Sequence, residues 1–150
     1  MIILLGKNLN EIGASEYLKV IYGKTAGSVP KLNLNLEKRV QRTTLELIQK
    51  GLINSAHDCS EGGLAITIAE SCISNKENLI GAEINLFSKI REDALLFGES
   101  QSRIVISCNV KNVEKIKKIA KRTKTPFEII GKTSDGPLKI FVNNEILVDT

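Results

Sequence analysis

The chain has 150 residues, of which 42% are hydrophobic, 25% charged and only 4% aromatic. These proportions fit one soluble globular domain and exclude a disordered chain. The net charge of +4 is too small to indicate nucleic-acid binding, and the scarcity of aromatic residues disfavours recognition of single-stranded nucleic acid. No apolar run is long enough to cross a bilayer, so we expect neither membrane nor nucleic acid as a partner.

The first third of the chain predicts one strand and two helices. The apolar run 1–6 reads as a buried strand, and Ser15 can cap a short helix over 15–23. The segment 35–51 has apolar side chains at helical spacing and predicts a longer helix with Asn35 as its N-cap. The face of this helix that we expect to be buried consists of Leu36, Val40, Leu47 and Ile48.

From residue 53 onward, predicted strands and helices alternate. Helices are predicted over 63–73, 91–99 and 113–122. Strands are predicted over 53–60, 79–87, 103–108, 126–131, 138–142 and 145–148. Asn143 and Asn144 separate the last two strands as a two-residue hairpin turn. This order predicts an α+β fold, in which one mixed β-sheet packs with helices as a single domain over residues 1–150.

The cysteines and the histidine indicate the compartment and disfavour a metal site. Cys59, Cys72 and Cys108 are widely spaced and form no CxxC pair, which fits a reducing, cytoplasmic location better than a disulfide framework. His57 is the only histidine, so a zinc site of the usual composition is not expected. There is also no signal-peptide pattern at the start of the chain.

The segment AHDCSEGGLA, residues 56–65, holds the densest polar chemistry. A nucleophilic site would need His57 and Cys59 on one face together with oxyanion donors, which the sequence does not supply. A metal site would need two further ligands. We therefore assign no catalytic residue and no metal ligand.

Two interpretations of this segment stay open. In the first, Gly62 and Gly63 expose backbone amides at a helix N-terminus, and those amides bind phosphate. In the second, Asp58 or Ser60 simply caps the helix, with Glu61 in its first turn.

A second polar cluster lies in LFGESQSR, residues 96–103, between a predicted helix and a predicted strand. Glu99, Ser100 and Gln101 could contact a ligand there, and Arg103 could pair with a phosphate. The alternative is an ordinary capped loop.

Three motifs in order carry a resemblance to a known family: GASEYL (13–18), AHDCSEGGLA (56–65) and LFGESQSRIVIS (96–107). With these motifs the whole chain resembles the C-terminal domain of phosphoribosylformylglycinamidine synthase, synthetase subunit II. This resemblance implies a fold similar to the C-terminal domain of aminoimidazole ribonucleotide synthetase. Ala14, Cys59 and Glu61 depart mildly from the family's usual residues, which are Gly, Val and Asp.

The resemblance implies an ATP-dependent ligase of purine biosynthesis that converts formylglycinamide ribonucleotide to formylglycinamidine ribonucleotide. The implied cofactors are ATP and Mg²⁺, held mainly by N-terminal-type domains that this sequence lacks. The implied partners are the remaining synthetase domains, a glutaminase subunit and a small accessory subunit, with a homodimer of the chain also open. We therefore expect the isolated chain to lack a complete active site.

The resemblance implies that the family's first C-terminal-type domain contacts substrate through a Glu-Ser-Gln motif. Glu99, Ser100 and Gln101 match this motif in the second copy, where the implied role is pseudo-symmetric and vestigial. In the whole protein, the Gly62-Gly63 turn is expected to face a ligand cleft, with Asp58, Ser60 and Glu61 shaping its rim. Two alternatives remain. One is another phosphate-activating enzyme of the superfamily, such as a selenophosphate synthetase-like or hydrogenase-maturation-like protein. The other is a non-catalytic ligand-binding module.

Overall fold

A seven-stranded β-sheet forms the centre of the computed structural model, which describes residues 1–150. The strands are β1 Ile2–Leu5, β2 Ser55–Asp58, β3 Gly81–Leu86, β4 Ile104–Ser107, β5 Phe127–Ser134, β6 Lys139–Val142 and β7 Glu145–Asp149. The helices are α1 Glu16–Tyr22, α2 Leu34–Gln49, α3 Gly63–Ile73, α4 Glu92–Phe97 and α5 Val113–Thr123. A short 3₁₀ turn, Val110–Asn112, precedes α5.

The strand order is β2-β4-β1-β5-β3-β6-β7. All neighbouring strands are antiparallel except β3 and β6, which run parallel. The last two strands form the predicted hairpin, and its turn residues Asn143 and Asn144 have φ of 51° and 71°. Those angles suit asparagine in a two-residue turn. The predicted α+β fold with one mixed sheet is confirmed.

Apolar side chains on both faces of the sheet form the core. Along β1, Ile2 and Leu4 pack with α3 and α4, whereas Ile3 and Leu5 pack with α2 and α5. Because successive side chains of a strand point to opposite faces, this central strand needs four apolar residues in a row. Burying each of them stabilises the fold by roughly 1.5–3 kcal/mol.

Helix α2 differs from its prediction in two details. Its N-cap is Asn33 and not Asn35. The Asn33 side chain accepts a hydrogen bond from the amide of Leu36 at 3.0 Å. Ile48, expected in the core, is 53% exposed, whereas Thr43 is fully buried. The Thr43 hydroxyl is hydrogen-bonded to those of Thr123 and Thr125 at 2.7 and 2.8 Å. Because these hydroxyls satisfy one another, a polar residue is tolerated inside.

The remaining helices and strands match their predictions closely. Helix α3 has the predicted bounds, and β5 continues to Ser134, three residues beyond its predicted end. None of the helices combines the length and the hydropathy needed to span a membrane.

Candidate functional site

The three motif segments meet at the carboxylate of Glu99. Its Oε1 atom accepts the backbone amide of Gly62 at 2.9 Å and that of Glu16 at 2.8 Å. Gly62 precedes α3 and Glu16 begins α1, so one side chain connects the starts of two helices. A carboxylate is favoured beside exposed helix N-terminal amides because their partial charge is positive.

The two glycines adopt a backbone conformation that other residues rarely accept. Gly62 and Gly63 have φ of 76° and 68°. A Cβ atom on Gly63 would lie 2.5 Å from the carbonyl oxygen of Gly98. Glycine at position 63 thus brings the start of α3 into direct contact with the end of α4.

The N-terminus of α3 has no side-chain cap. Gly62 holds the N-cap position, and the Ser60 hydroxyl donates to the carboxylate of Asp58 instead of accepting a helix amide. The cap that the sequence suggested for Asp58 or Ser60 is therefore not formed. Glu99, from a distant loop, instead accepts a hydrogen bond from the amide of Gly62 itself.

Both amides of the proposed phosphate cradle already have acceptors in this structure. The amide of Gly62 donates to Glu99, and that of Gly63 donates to the carbonyl of Ser60 at 3.1 Å. A phosphate at this turn would therefore have to displace the carboxylate of Glu99. The phosphate-binding role of the two glycines stays a prediction with that added condition.

Arg103 lies inside the domain and not at its surface. Only 2% of the residue is exposed, and its guanidinium donates to the carbonyls of Gly98 at 2.6 Å and Ser100 at 2.7 Å. A third bond reaches Oδ1 of Asn8 at 2.8 Å. Burial lowers the pKa of Arg103, and the neighbouring Cys59, Glu11 and Glu99 oppose that shift. In this structure the guanidinium fixes the loop between α4 and β4 and is not presented to a ligand.

Of the other predicted site residues, four are exposed to solvent and one is buried. Asp58, Ser60 and Glu61 are exposed next to the glycine turn, as a rim requires. Gln101 is also exposed, and its amide donates to the carbonyl of Glu99 at 3.1 Å. Ser100 is only 1% exposed, so its side chain is not available to a ligand.

Sequence reasoning missed two members of this cluster. Asn8 supports Arg103 from a position 95 residues away, and no spacing rule connects the two. Tyr17 stacks on Phe97 with ring centroids 4.9 Å apart and an angle of 11° between the rings. This stack packs α1 against the end of α4, and a pair of aromatic residues so far apart in sequence carries no local signal.

The nucleophile and metal interpretations gain no support from the geometry. Burial raises the pKa of the Cys59 thiol, which keeps it neutral and poorly nucleophilic. His57 instead lies 3.2 Å from the hydroxyl of Ser71 and 3.5 Å from the carboxylate of Glu70. The chain contains no group of three or more His, Cys, Asp or Glu side chains that could hold a metal ion. Its residues alone therefore do not fit a Mg²⁺ site.

The domain is of the α+β class, with a mixed sheet that has helices on both faces. Its candidate site is a glycine turn held by a carboxylate from the α4–β4 loop. Residues 1–143 match the family described as AIR synthase related protein, C-terminal domain. The chain belongs to this family, and the resemblance seen in its motifs is confirmed.

Curated relatives extend the likeness along the whole chain. It is 45% identical over 149 residues to the phosphoribosylformylglycinamidine synthase subunit PurL of Thermoanaerobacter pseudethanolicus, covering 99% of this chain and 20% of the relative. The identity to the same subunit of Moorella thermoacetica is 40% over 147 residues, covering 98% and 20%. The chain therefore spans about one fifth of the length of these relatives.

Solved structures show the same fold at low identity. Thermotoga maritima PurL complexed with FGAR superimposes with a TM-score of 0.79 at 20% identity, covering 99% of this chain and 26% of that one. A thiamine-monophosphate kinase from Stenotrophomonas maltophilia gives a TM-score of 0.52 at 18% identity, covering 96% and 50%.

Proposed function

We propose that this chain is a C-terminal-type domain of a phosphoribosylformylglycinamidine synthase and forms one wall of a ligand cleft in the whole enzyme. The relatives that share its sequence at 40–45% identity carry that name. Because the chain covers only 20% of their length, the reaction belongs to the whole enzyme and not to the domain alone. The whole enzyme would convert formylglycinamide ribonucleotide to formylglycinamidine ribonucleotide.

The convergence of the three motifs at Glu99 is the observation that carries this proposal. Residues of the three motifs, spread over 83 positions of the chain, meet at one carboxylate. Around that point, Asp58, Ser60 and Glu61 are exposed beside the glycine turn, and in the proposal they form the rim of an open cleft. A rim without an opposite wall fits a composite cleft whose second half lies on another domain.

Helix α1 supplies a surface for such a neighbouring domain. None of its residues is buried, and two of its apolar side chains, Val20 and Ile21, are 73% and 59% exposed. Exposed apolar side chains that lie close together mark interaction surfaces. In the proposal, this face and the rim both contact the remaining synthetase domains.

The residues of this chain would position and enclose the ligand. Glu99 fixes the glycine turn, Arg103 fixes the loop that carries Glu99, and the exposed rim excludes water when the cleft closes. ATP supplies the phosphoryl group that activates the amide oxygen when the whole enzyme binds it. Mg²⁺ would be held by the other domains, since the acids of this chain do not cluster. Ammonia would come from a glutaminase subunit, with a small accessory subunit in the complex.

A chimeric enzyme tests the proposal directly. The matching fifth of Thermoanaerobacter pseudethanolicus PurL is replaced by this chain, and ammonia-dependent ADP formation is measured with formylglycinamide ribonucleotide and MgATP. We expect the chimera to turn over substrate and the isolated chain to show no turnover. A folded, full-length chimera without activity, or turnover by the chain alone, contradicts the proposal.

A matched pair of chimeras tests the role of the site. Glu99→Ala, which frees both helix amides, should lower the turnover of the chimera, whereas Lys132→Ala, at an exposed position of the middle strand β5, should leave it unchanged. Equal activity of the two variants would show that the Glu99 junction does not support the reaction.

A further inference from the structure

Positive charge is concentrated in one layer of the molecule. We call residues 34–50 and 109–124, which comprise α2, the 3₁₀ turn and α5, the basic layer. It contains eleven Lys and Arg against three Glu, a net charge of +8. The remaining residues contain ten bases and fourteen acids, a net charge of −4. The net charge of the chain is small because a positively charged part and a negatively charged part largely cancel.

The basic layer covers the face of the sheet opposite to the candidate site. Its apolar residues Val40, Leu47 and Ile116 pack with Ile3 and Leu5 of β1, whereas α3 and α4 pack on the other face. The Thr43 hydrogen bonds and the bond from Arg39 Nε to the carbonyl of Lys124 at 3.1 Å join α2 to α5. The two helices thus present one fixed surface.

Almost all of the cations on this surface point to solvent. Arg39 is half-buried, and the other ten bases are exposed: Lys38, Arg42, Lys50, Lys111, Lys115, Lys117, Lys118, Lys121, Arg122 and Lys124. Only Glu46 forms ion pairs within the layer, with Arg122 and, at 3.7 Å, with Lys50. Most of the positive charge is therefore uncompensated within the domain.

Apolar side chains are exposed among these cations. Leu45 and Ile48 of α2 are 55% and 53% exposed, and Val110 is 70% exposed. Leu45 and Ile48 follow Arg42 at spacings of three residues, so they share the outward stripe of α2. A nucleic-acid backbone offers nothing apolar to cover them, and the layer has no aromatic residue on which a base could stack.

We propose that the basic layer binds an acidic segment of another protein, one in which apolar side chains alternate with Asp and Glu. Charge complementarity between the partners would supply attraction and orientation. Contacts to Leu45, Ile48 and Val110 would supply burial that a purely ionic ligand cannot. This proposal does not rest on the proposed function, because the layer lies on the opposite face of the sheet from the candidate site.

The test measures peptide binding to the 150-residue chain by fluorescence anisotropy. The first probe is a labelled peptide of about 20 residues in which Glu alternates with Leu, a pattern that places the Leu side chains on one face of an extended chain. The second replaces each Leu by Ser at the same charge, and the third is an RNA of equal length. At about 150 mM salt, where exposed charges are screened beyond roughly 8 Å, we expect the Glu/Leu peptide to bind most tightly.

Matched variants locate the site. Lys118→Glu/Lys121→Glu should weaken binding of the Glu/Leu peptide about tenfold or more. Lys76→Glu/Lys89→Glu, which changes the net charge equally outside the layer, should change it less than about twofold. Leu45→Ser/Ile48→Ser should weaken the Glu/Leu peptide but not the Glu/Ser peptide. Circular dichroism confirms that each variant is folded.

Three results would overturn the proposal. The first is the absence of saturable binding by the Glu/Leu peptide. The second is an equal loss of binding in the two charge-reversal variants, which would reduce the effect to net charge. The third is tighter binding of the RNA together with no effect of the Leu45→Ser/Ile48→Ser change, which would assign the surface to nucleic acid.

Discussion

The carboxylate of Glu99 and the amide of Gly62 are joined by a hydrogen bond of 2.9 Å, although 37 residues separate them in the chain. The same oxygen also accepts the amide of Glu16. An internal carboxylate therefore lies where an anionic ligand would be expected at the start of α3. The bond makes Glu99 both the support of the glycine turn and the competitor of any phosphate that binds there.

Removing this carboxylate should destabilise the domain measurably. Glu99→Ala leaves two partly buried amides without an acceptor, so we expect the free energy of unfolding to fall by about 2 kcal/mol. Glu99→Gln keeps an acceptor oxygen but loses the charge, and its loss should be about half as large. Urea denaturation followed by circular dichroism measures both values.

The neighbouring variant Gln101→Ala is the control for Glu99. Its exposed side chain bonds only to the carbonyl of Glu99, and we expect a change within about 0.5 kcal/mol. If Glu99→Ala were as stable as Gln101→Ala, the double hydrogen bond would contribute nothing to the fold.

Glycine can be required by its backbone conformation or by lack of space for a side chain, and Gly51 and Gly63 distinguish these two reasons. Both have left-handed backbones, with φ of 68° and 62°. A Cβ on Gly63 would overlap Gly98 and Phe97, whereas nothing lies within 4 Å of a Cβ on Gly51. Gly51→Ala should therefore cost about 1 kcal/mol from the backbone alone. Gly63→Ala should cost roughly 3 kcal/mol or more because overlap is added to that strain.

Thermal and urea unfolding of the two alanine variants decides between these reasons. A similar small loss in both would mean that α3 and α4 separate easily at Gly63. In that case the close approach of the two helices would not be a fixed feature of the site.

Local chemistry in the sequence was sufficient to predict most of the helices and strands. The bounds of α3 followed from its apolar run behind two glycines, and the last hairpin followed from Asn143 and Asn144. Both signals lie within a few residues of the structure they specify. The clustering of Asp58, Ser60 and Glu61 beside the glycine turn could be predicted for the same reason.

Long-range pairing could not be predicted in this way. The parallel pair β3–β6 joins strands more than fifty residues apart, and nothing in either strand identifies its neighbour. The burial of Thr43 in place of Ile48 depends on hydroxyls from the α5 end. Arg103 likewise finds its third acceptor in Asn8, 95 residues away, beside the local carbonyls of Gly98 and Ser100. In each case the deciding partner is supplied by tertiary packing, which overrides the local preference.

Arg103 should tolerate replacement poorly even when the charge is kept. Arg103→Lys cannot reach Gly98, Ser100 and Asn8 with one ammonium group, because lysine lacks the planar fork of donors. We expect a loss of about 3 kcal/mol from the unpaired buried acceptors. The control Arg91→Lys changes an exposed residue and should leave the urea midpoint unchanged. Equal midpoints for the two variants would contradict the interior role of Arg103.

Cys59 should make the domain less stable in alkaline solution. Burial raises the pKa of its thiol, so the folded state keeps a proton that the unfolded chain loses above its ordinary pKa of about 8.5. The stabilisation is therefore fully present below about pH 8.5 and is lost as the pH rises through the folded pKa. Over that range the free energy of unfolding falls by at most about 1.4 kcal/mol per pH unit.

The comparison of Cys59→Val with Cys72→Val measures this contribution. Both variants remove a thiol, but Cys59 is 7% exposed and Cys72 is only half-buried. Burial also raises the pKa of Cys72, from a more accessible position. Urea unfolding between pH 7 and about pH 9.5, under reducing conditions, should give a shallower alkaline decline for Cys59→Val than for Cys72→Val, because the more deeply buried thiol resists ionisation more strongly. Parallel declines in the wild type and in Cys59→Val would show that the thiol ionises in the folded domain as readily as in the unfolded chain.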